Sequence, residues 1–254
     1  MNTNGSAKYI QSIERASEIL RCFEDAKELG LTEISKITGL HKSTASGIIN
    51  TLKKENFLHQ NEETGKLRLG LELFRLSTHI QLSYRDICMP YLDDLMEITG
   101  ETINLVMREG DRIVYIEKKE SLHSMRICTK IGQQLPLHCT GAGKAILAFL
   151  PFEEINAILS RTSFRSFTKN TITNKEVLLE QMAEIQKNGY ATDVEELEYG
   201  LICIGAPIFN QKNQPIAGIS ISGPITRMTS PVQKKICSRL IEATTMISSK
   251  MNTN

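Results

Sequence analysis

Apolar residues fall at helical spacing through the first quarter of the chain. Ile13, Ala16, Ile19, Leu20 and Phe23 mark one face of an amphipathic helix predicted over 12–24. A polar connection from Asp25 to Gly30 leads to a short second helix, Thr32 to Thr38, with Ile34 and Ile37 on one side. Gly39-Leu40 stops it, because glycine accepts the left-handed conformation favoured just past a helix end. A third helix is predicted from His41 to Glu55, with Ala45, Ile48, Ile49 and Leu52 as its apolar stripe. Phe57-Leu58 then opens an extended stretch. The turn cluster Asn61-Glu62-Glu63-Thr64-Gly65 and the alternating Lys66-Leu67-Arg68-Leu69 complete a β-hairpin. Three helices followed by a hairpin is the plan of a winged helix-turn-helix. Leu71, Leu73, Phe74, Leu76, Ile80 and Leu82 predict one further helix, read as an interdomain linker.

Beyond it the pattern alternates between strands and helices. Thr102–Met107 and Arg112–Lys118 flank a Glu-Gly-Asp turn and predict a hairpin, and Met125–Ile131 a third strand. Helices are predicted over Gly141–Leu150, Pro151–Ser160 and Asn174–Asn188, the last ended by Gly189. Strands follow at Leu201–Phe209 and Pro215–Ser222, and Ser230-Pro231 starts a final helix running toward Met251. Strand pairs mixed with helices predict an α+β domain built on an antiparallel sheet. The expected organisation is a DNA-binding unit over 1–70, a linker helix over 71–86 and a larger domain over 87–254.

A chain of 254 residues accommodates two such domains, and 41% hydrophobic with 23% charged residues is ordinary globular usage. No apolar run approaches the roughly 18 residues that span a bilayer, and the polar start Met1 to Ala7 lacks a signal-peptide core, so a cytoplasmic location is expected. Cys22, Cys88, Cys128, Cys139, Cys203 and Cys237 are scattered and form no C-x-x-C pair, which argues against a disulfide framework or structural zinc. The net charge of +1 says little about partners. Locally, Lys36, Lys42, Lys53, Lys54, Lys66 and Arg68 outweigh Glu55, Glu62 and Glu63, enough for a basic face.

A recognition helix must keep its own core and present a polar face to the major groove. On the third helix, Lys42, Ser43, Thr44, Ser46, Asn50 and Lys53 remain outward once the apolar stripe faces in. Asn50 suits paired hydrogen bonds to adenine, and Lys66 and Arg68 on the wing suit phosphate or minor-groove contact. The plainer alternative is a solvated face on a winged helix that contacts only protein.

Ligand chemistry is suggested farther along. Thr140-Gly141-Ala142-Gly143-Lys144 precedes an apolar helix, where small residues admit a ligand to the backbone and free N–H groups favour an anion. It is not a Walker loop, since His138 and Ala145 stand where glycine and Ser/Thr are required. A tight helix entry without ligand explains it equally well. Ser220 and Ser222, two apart on a strand, share a face and read as pocket lining or as a solvent-facing edge. Asp193 and Cys203 are further polar candidates. Cys139 or Cys203 with His138 would make a nucleophile and base, but the sequence shows neither hydrogen-bond reach nor an oxyanion site, so packing is the better reading. Asp193, Glu195, Glu196 and Glu198 read as a solvated acidic loop before a metal site. No catalytic residue, metal ligand or cofactor is assigned.

Several stretches resemble IclR-type bacterial transcriptional regulators: Ser12-Ile13-Glu14-Arg15-Ala16, Gly39-Leu40-His41-Lys42-Ser43-Thr44 and Asn50-Thr51-Leu52. The resemblance continues through Leu135 to Ala145, Gly189-Tyr190-Ala191-Thr192-Asp193, Glu195-Glu196, Gly200 to Ile204, and Ile219 to Pro224. It covers nearly the whole chain in order. It implies a GAF-like effector domain, dimers often pairing into tetramers, and double-stranded operator DNA as partner. It also implies that Gly141, Ala142, Asp193, Cys203, Ser220 and Ser222 bind a small carboxylate between apolar walls of Ile127, Leu135 and Leu201. The expected effector is a keto, sugar or aromatic acid. The chain departs from the family pattern at His41, where many members carry proline, and at Ser46-Gly47, where a His-Arg pair is common, so its base code is its own. The expected function is a ligand-responsive regulator, a repressor of a metabolic operon. The runner-up is an activator of the same build. The rival from another class is a small-molecule-converting enzyme with a DNA-binding appendage.

Overall fold

The computed structural model describes residues 9–80 and 83–251. The chain divides into two compact units, Met1–Gln81 and Leu82–Asn254.

The first unit contains α1 (Gln11–Arg21), α2 (Leu31–Thr38), α3 (Lys42–Lys54), β1 (Leu58–Gln60), β2 (Leu67–Leu69) and α4 (Leu71–Ser77). Its core joins Ile19 and Phe23 to Ile34, Ala45, Ile49, Leu52, Leu58 and Leu67, so the helical stripes close on the root of the hairpin. The Glu33 carboxylate accepts the Gly30 N–H at 2.7 Å and caps α2 at its start. Gly39 ends it at φ 68°, a left-handed turn that hands the chain to α3. Strands β1 and β2 pair antiparallel, Leu58 opposite Leu69, and Leu29 bridges to Leu67. The predicted linker helix is shorter than expected: α4 ends at Ser77, Ile80 lies in the turn beyond it, and Leu82 falls outside the described residues. Leu71, Phe74, Leu76 and Ile80 are exposed.

The second unit opens with α5 (Ser83–Thr99), which the sequence reading left unassigned beyond its start. Pro90 lies inside this helix, and the apolar spacing of Cys88, Leu92 and Leu95 runs straight across it. The order continues β3 (Thr102–Glu109), β4 (Arg112–Lys119), β5 (Gln134–Pro136), α6 (Gly141–Leu147), α7 (Phe152–Leu159), α8 (Lys175–Asn188), β6 (Ala191–Val194), β7 (Leu201–Phe209), β8 (Pro215–Pro224) and α9 (Ser230–Met251). Six strands form one antiparallel sheet in the order β5-β4-β3-β8-β7-β6. Helices α5 and α9 cover one face, packing on Ile103, Leu105, Ile204, Ile219 and Ile221. Helices α6, α7 and α8 build a second core that meets the sheet at Val106, Ile113 and Tyr115. Both faces of β7 and β8 are therefore covered, which explains their near-continuous apolar runs.

Met125–Ile131 is not a strand. Side chains engage three of its carbonyls: Arg227 donates to Met125 O at 3.0 Å, Thr102 to Ile127 O at 3.2 Å and Lys118 to Thr129 O at 2.6 Å. The added edge strand is β5, only three residues long. Among the described residues no helix is long and apolar enough to cross a membrane.

Candidate nucleic-acid interface and ligand cavity

Helix α3 buries Ala45, Ile49 and Leu52 and turns its other side outward. Lys42, Ser43 and Asn50 are exposed there, while Thr44, Ser46 and Lys53 are half-buried. His41 is the N-cap residue, and its Nδ1 lies 3.0 Å from Ser43 Oγ. Gly47 sits on the same surface, and a Cβ added to it would meet nothing within 4 Å. Lys66 and Arg68 are exposed on the hairpin, Arg68 opposite His59. The Lys53 ammonium donates to Gln60 Oε1, tying the end of the helix to the wing. Asn61 folds the hairpin turn by accepting from the N–H groups of Glu63 and Thr64 at 2.9 and 3.2 Å.

In the second unit the pleat brings distant polar residues to one face. Thr102, Ser222, Cys203 and Asp193 pair in turn across β3, β8, β7 and β6, forming a single cross-strand row. Asn104, Ser220, Gly205 and Ala191 form the next row but one on the same face. Over these rows lies a cavity of about 240 Å³. Ser220, Ser222, Cys203 and Asp193 line its floor, and Gly141 and Ala142 one side. Ile127, Leu135 and Leu201 supply apolar wall. The nine candidate ligand positions thus surround one space.

Gly205 is what lets α6 reach the sheet. A Cβ there would stand 2.2 Å from Ala142 N and 2.4 Å from Gly141 C. Only a residue without a side chain fits between helix start and strand.

Charge at the cavity is one-sided. Asp193 and Glu198 are the only ionised side-chain types among its described lining residues, and both are acids. Lys144 is not among the lining residues and is fully buried against Glu196, whose Oε1 accepts from its ammonium. Burial pushes the Glu196 carboxyl up in pKa, with Lys144 pulling against it. Asp193 is 1% exposed. Its Oδ1 accepts the Glu196 N–H at 2.7 Å, and its Oδ2 is buried without a partner. Burial, opposed by that backbone hydrogen bond, pushes the Asp193 carboxyl up to about 7.

The sequence reading missed several lining residues, among them Tyr115, Thr129 and Gln133. It also missed Asn104, fully buried, which accepts from Thr129 Oγ1 at 2.6 Å and donates to Ser220 Oγ at 3.4 Å. A polar residue inside the run Ile103-Asn104-Leu105 was the available signal. His138 is engaged elsewhere than with Cys139 or Cys203. Burial pushes the Cys139 thiol up to about 12 and raises that of Cys203 as well, and the His138 ring lies tilted against Phe164, centroids 5.4 Å apart, with Nε2 toward Arg165 O. A protonated buried thiol is a poor nucleophile. The acidic segment is dispersed rather than convergent: Glu195 accepts from Gly200 N, and Glu196 pairs with Lys144. Among the described residues no three His, Cys, Asp or Glu side chains are grouped to hold a metal.

Comparison with known proteins bears on both units. Residues 12–62 match the model of the IclR helix-turn-helix domain, and residues 79–249 that of the C-terminal domain of IclR-type bacterial transcriptional regulators. The HTH-type transcriptional regulator XynR of Escherichia coli K12 is 37% identical over 222 residues, covering 86% of this chain and 88% of that protein. The transcriptional repressor IclR of the same organism is 35% identical over 225 residues, covering 87% and 82%. A solved IclR homolog from Microbacterium hydrocarbonoxydans, complexed with 4-hydroxybenzoate, has the same fold, with a TM-score of 0.82 at 22% identity over 96% of this chain and all of that one.

Proposed function

The chain belongs to the IclR family of bacterial DNA-binding transcriptional regulators, and from that premise we propose how its two units divide the work. The first unit, with the linker region after residue 70, holds operator DNA in the cytoplasm. Lys42, Ser43, Thr44, Ser46 and Asn50 face the major groove, while Lys53, Lys66 and Arg68 hold phosphates. The second unit binds a small carboxylate and reports it to the first. The protein acts as a repressor of a metabolic operon, in keeping with the repressor among its relatives.

The observation that carries the effector reading is the polar floor under apolar walls. Ser220, Ser222 and the backbone at Gly141-Ala142 offer hydrogen bonds, and Ile127, Leu135 and Leu201 bury a hydrocarbon portion. About 240 Å³ is below the roughly 300–1,000 Å³ of pockets for drug-sized ligands, so the effector is small. An aromatic acid is one candidate, given the 4-hydroxybenzoate held by the Microbacterium homolog. Each neutral hydrogen bond contributes on the order of 1 kcal/mol, so affinity is moderate.

The test is binding to the intergenic DNA beside its own gene across a salt series. Lys42→Ala and Lys66→Ala should each lower the log–log salt slope by about 1, while Asn50→Ala should relax preference at particular bases. Ser220→Ala with Ser222→Ala should spare DNA binding and abolish its response to added acids. An unchanged salt slope in both lysine variants would reject this DNA face, and an unchanged response in the serine pair would reject this cavity.

A further inference from the structure

We propose that the cavity takes up its acid effector together with one proton, held between the ligand carboxylate and the Asp193 carboxyl. The inference rests on the reading of the cavity as the site of a small carboxylate and adds how an anion is tolerated there. Three features carry it. Asp193 is 1% exposed and lies in the cavity floor. One of its oxygens is taken by the Glu196 N–H, and the other has no partner. No cationic side chain lines the space among the described residues.

The charged groups around Asp193 act in opposite directions, Glu196 raising its pKa and Lys144 lowering it, and burial remains the largest influence. Glu196 and Glu198 follow it on the chain, Cys203 faces it from β7, Cys139 and Lys144 from α6 and its approach, and Tyr115 from β4. Of these only Lys144 is cationic, and its ammonium is engaged by Glu196. A carboxylate brought beside an ionised Asp193 would set two like charges together away from water, and such pairs retain a proton between them. Protonated, Asp193 Oδ2 becomes a donor, and its missing partner is the ligand oxygen. Because burial already holds this carboxyl near pH 7, the proton is within reach under neutral conditions.

The linkage has a definite sign. Below pH 7 the free protein already carries the proton, and affinity is flat. Above pH 7 each acid bound takes up one proton, and affinity falls about tenfold per pH unit. Internal pH thereby becomes a second input to the regulator.

The experiment is calorimetric titration of the full-length protein with pyruvate, gluconate and benzoate from pH 6 to 9, in pairs of buffers with different ionisation heats. Expected is uptake approaching one proton per acid at pH 8.5 and near zero at pH 6. In Asp193→Asn, which keeps the acceptor and presents a permanent N–H donor, binding should persist without pH dependence. Acids that bind the wild type equally at pH 6 and pH 9, without proton exchange, would overturn the proposal and leave the cavity assignment standing. If none of the three acids binds at any pH, the carboxylate reading itself fails. The wild-type proton count decides the matter even if the variant does not fold.

Discussion

At Asp193, desolvation and hydrogen bonding pull against each other, and desolvation wins. The carboxyl rises from its ordinary 3.8 to about 7 in the folded protein. Between those values the native state holds a proton that the unfolded chain has lost, so stability falls as pH rises through this window and levels off above it. Asp193→Asn removes the titration. We expect it to stabilise the second unit little at pH 4 and by a few kcal/mol above pH 7, at about 1.4 kcal/mol per pKa unit. Thermal unfolding of both proteins across pH 4–8 measures this, and a constant difference would contradict it. The same residues show what was legible beforehand. Ser220 and Ser222 were readable because strand alternation is local. Lys144 was not: the loop ending at it read equally as an anion site or a tight helix entry, and its actual partner, Glu196, lies 52 residues away with nothing local to announce it. Asn104 stood out locally as a polar residue in an apolar run, but its partners Thr129 and Ser220 come from other parts of the chain, so its place beside the cavity was not readable.

Elements with their own punctuation were predicted well. Asn174 caps α8 by accepting from Glu176 N and Val177 N, and Gly189 closes it at φ 78°. β7 starts and stops where its apolar run does. Two segments misled. Met125–Ile131 has strand-like residues but forms no ladder, and most of α5 was left unassigned although the residues on either side of Pro90 keep helical spacing. Glycines sort the elements by how much room they leave. At Gly205 an added methyl collides with the backbone of α6, so Gly205→Ala should force helix and strand apart. We expect a loss of about 1–3 kcal/mol or more and loss of acid binding, with operator binding retained. At Gly47 the space is open and the backbone helical, so Gly47→Ala should stabilise the first unit by up to about 1 kcal/mol. Denaturant unfolding followed separately in each unit distinguishes the two outcomes. Equal effects would mean that neither contact is as described.

For the whole molecule, one winged helix reads too few base pairs for useful specificity, so two copies should act together on a two-fold site. The exposed Leu71, Phe74, Leu76 and Ile80 around α4 are the proposed contact between them. Light scattering should give a dimer or tetramer, and Phe74→Glu should shift it toward monomer and weaken operator binding. Tight, specific operator binding by a monomer would contradict this. Because coupling between two sites is reciprocal, operator DNA should change acid affinity by the same factor as acid changes DNA affinity. The cross-strand rows described above carry a consequence of another kind. Ser222, Cys203 and Asp193 face the cavity, whereas Ile221, Ile204 and their neighbours, one residue along, face α5 and α9. The pleat thus separates the residues that meet the ligand from those packed under α5 and α9, with Gly205 the position on the cavity face where packing also decides. A lineage carrying this sheet can retune its effector at alternate positions such as Ser222 and Cys203 while the core under α5 and α9 stays as it is, provided that Gly205 is kept.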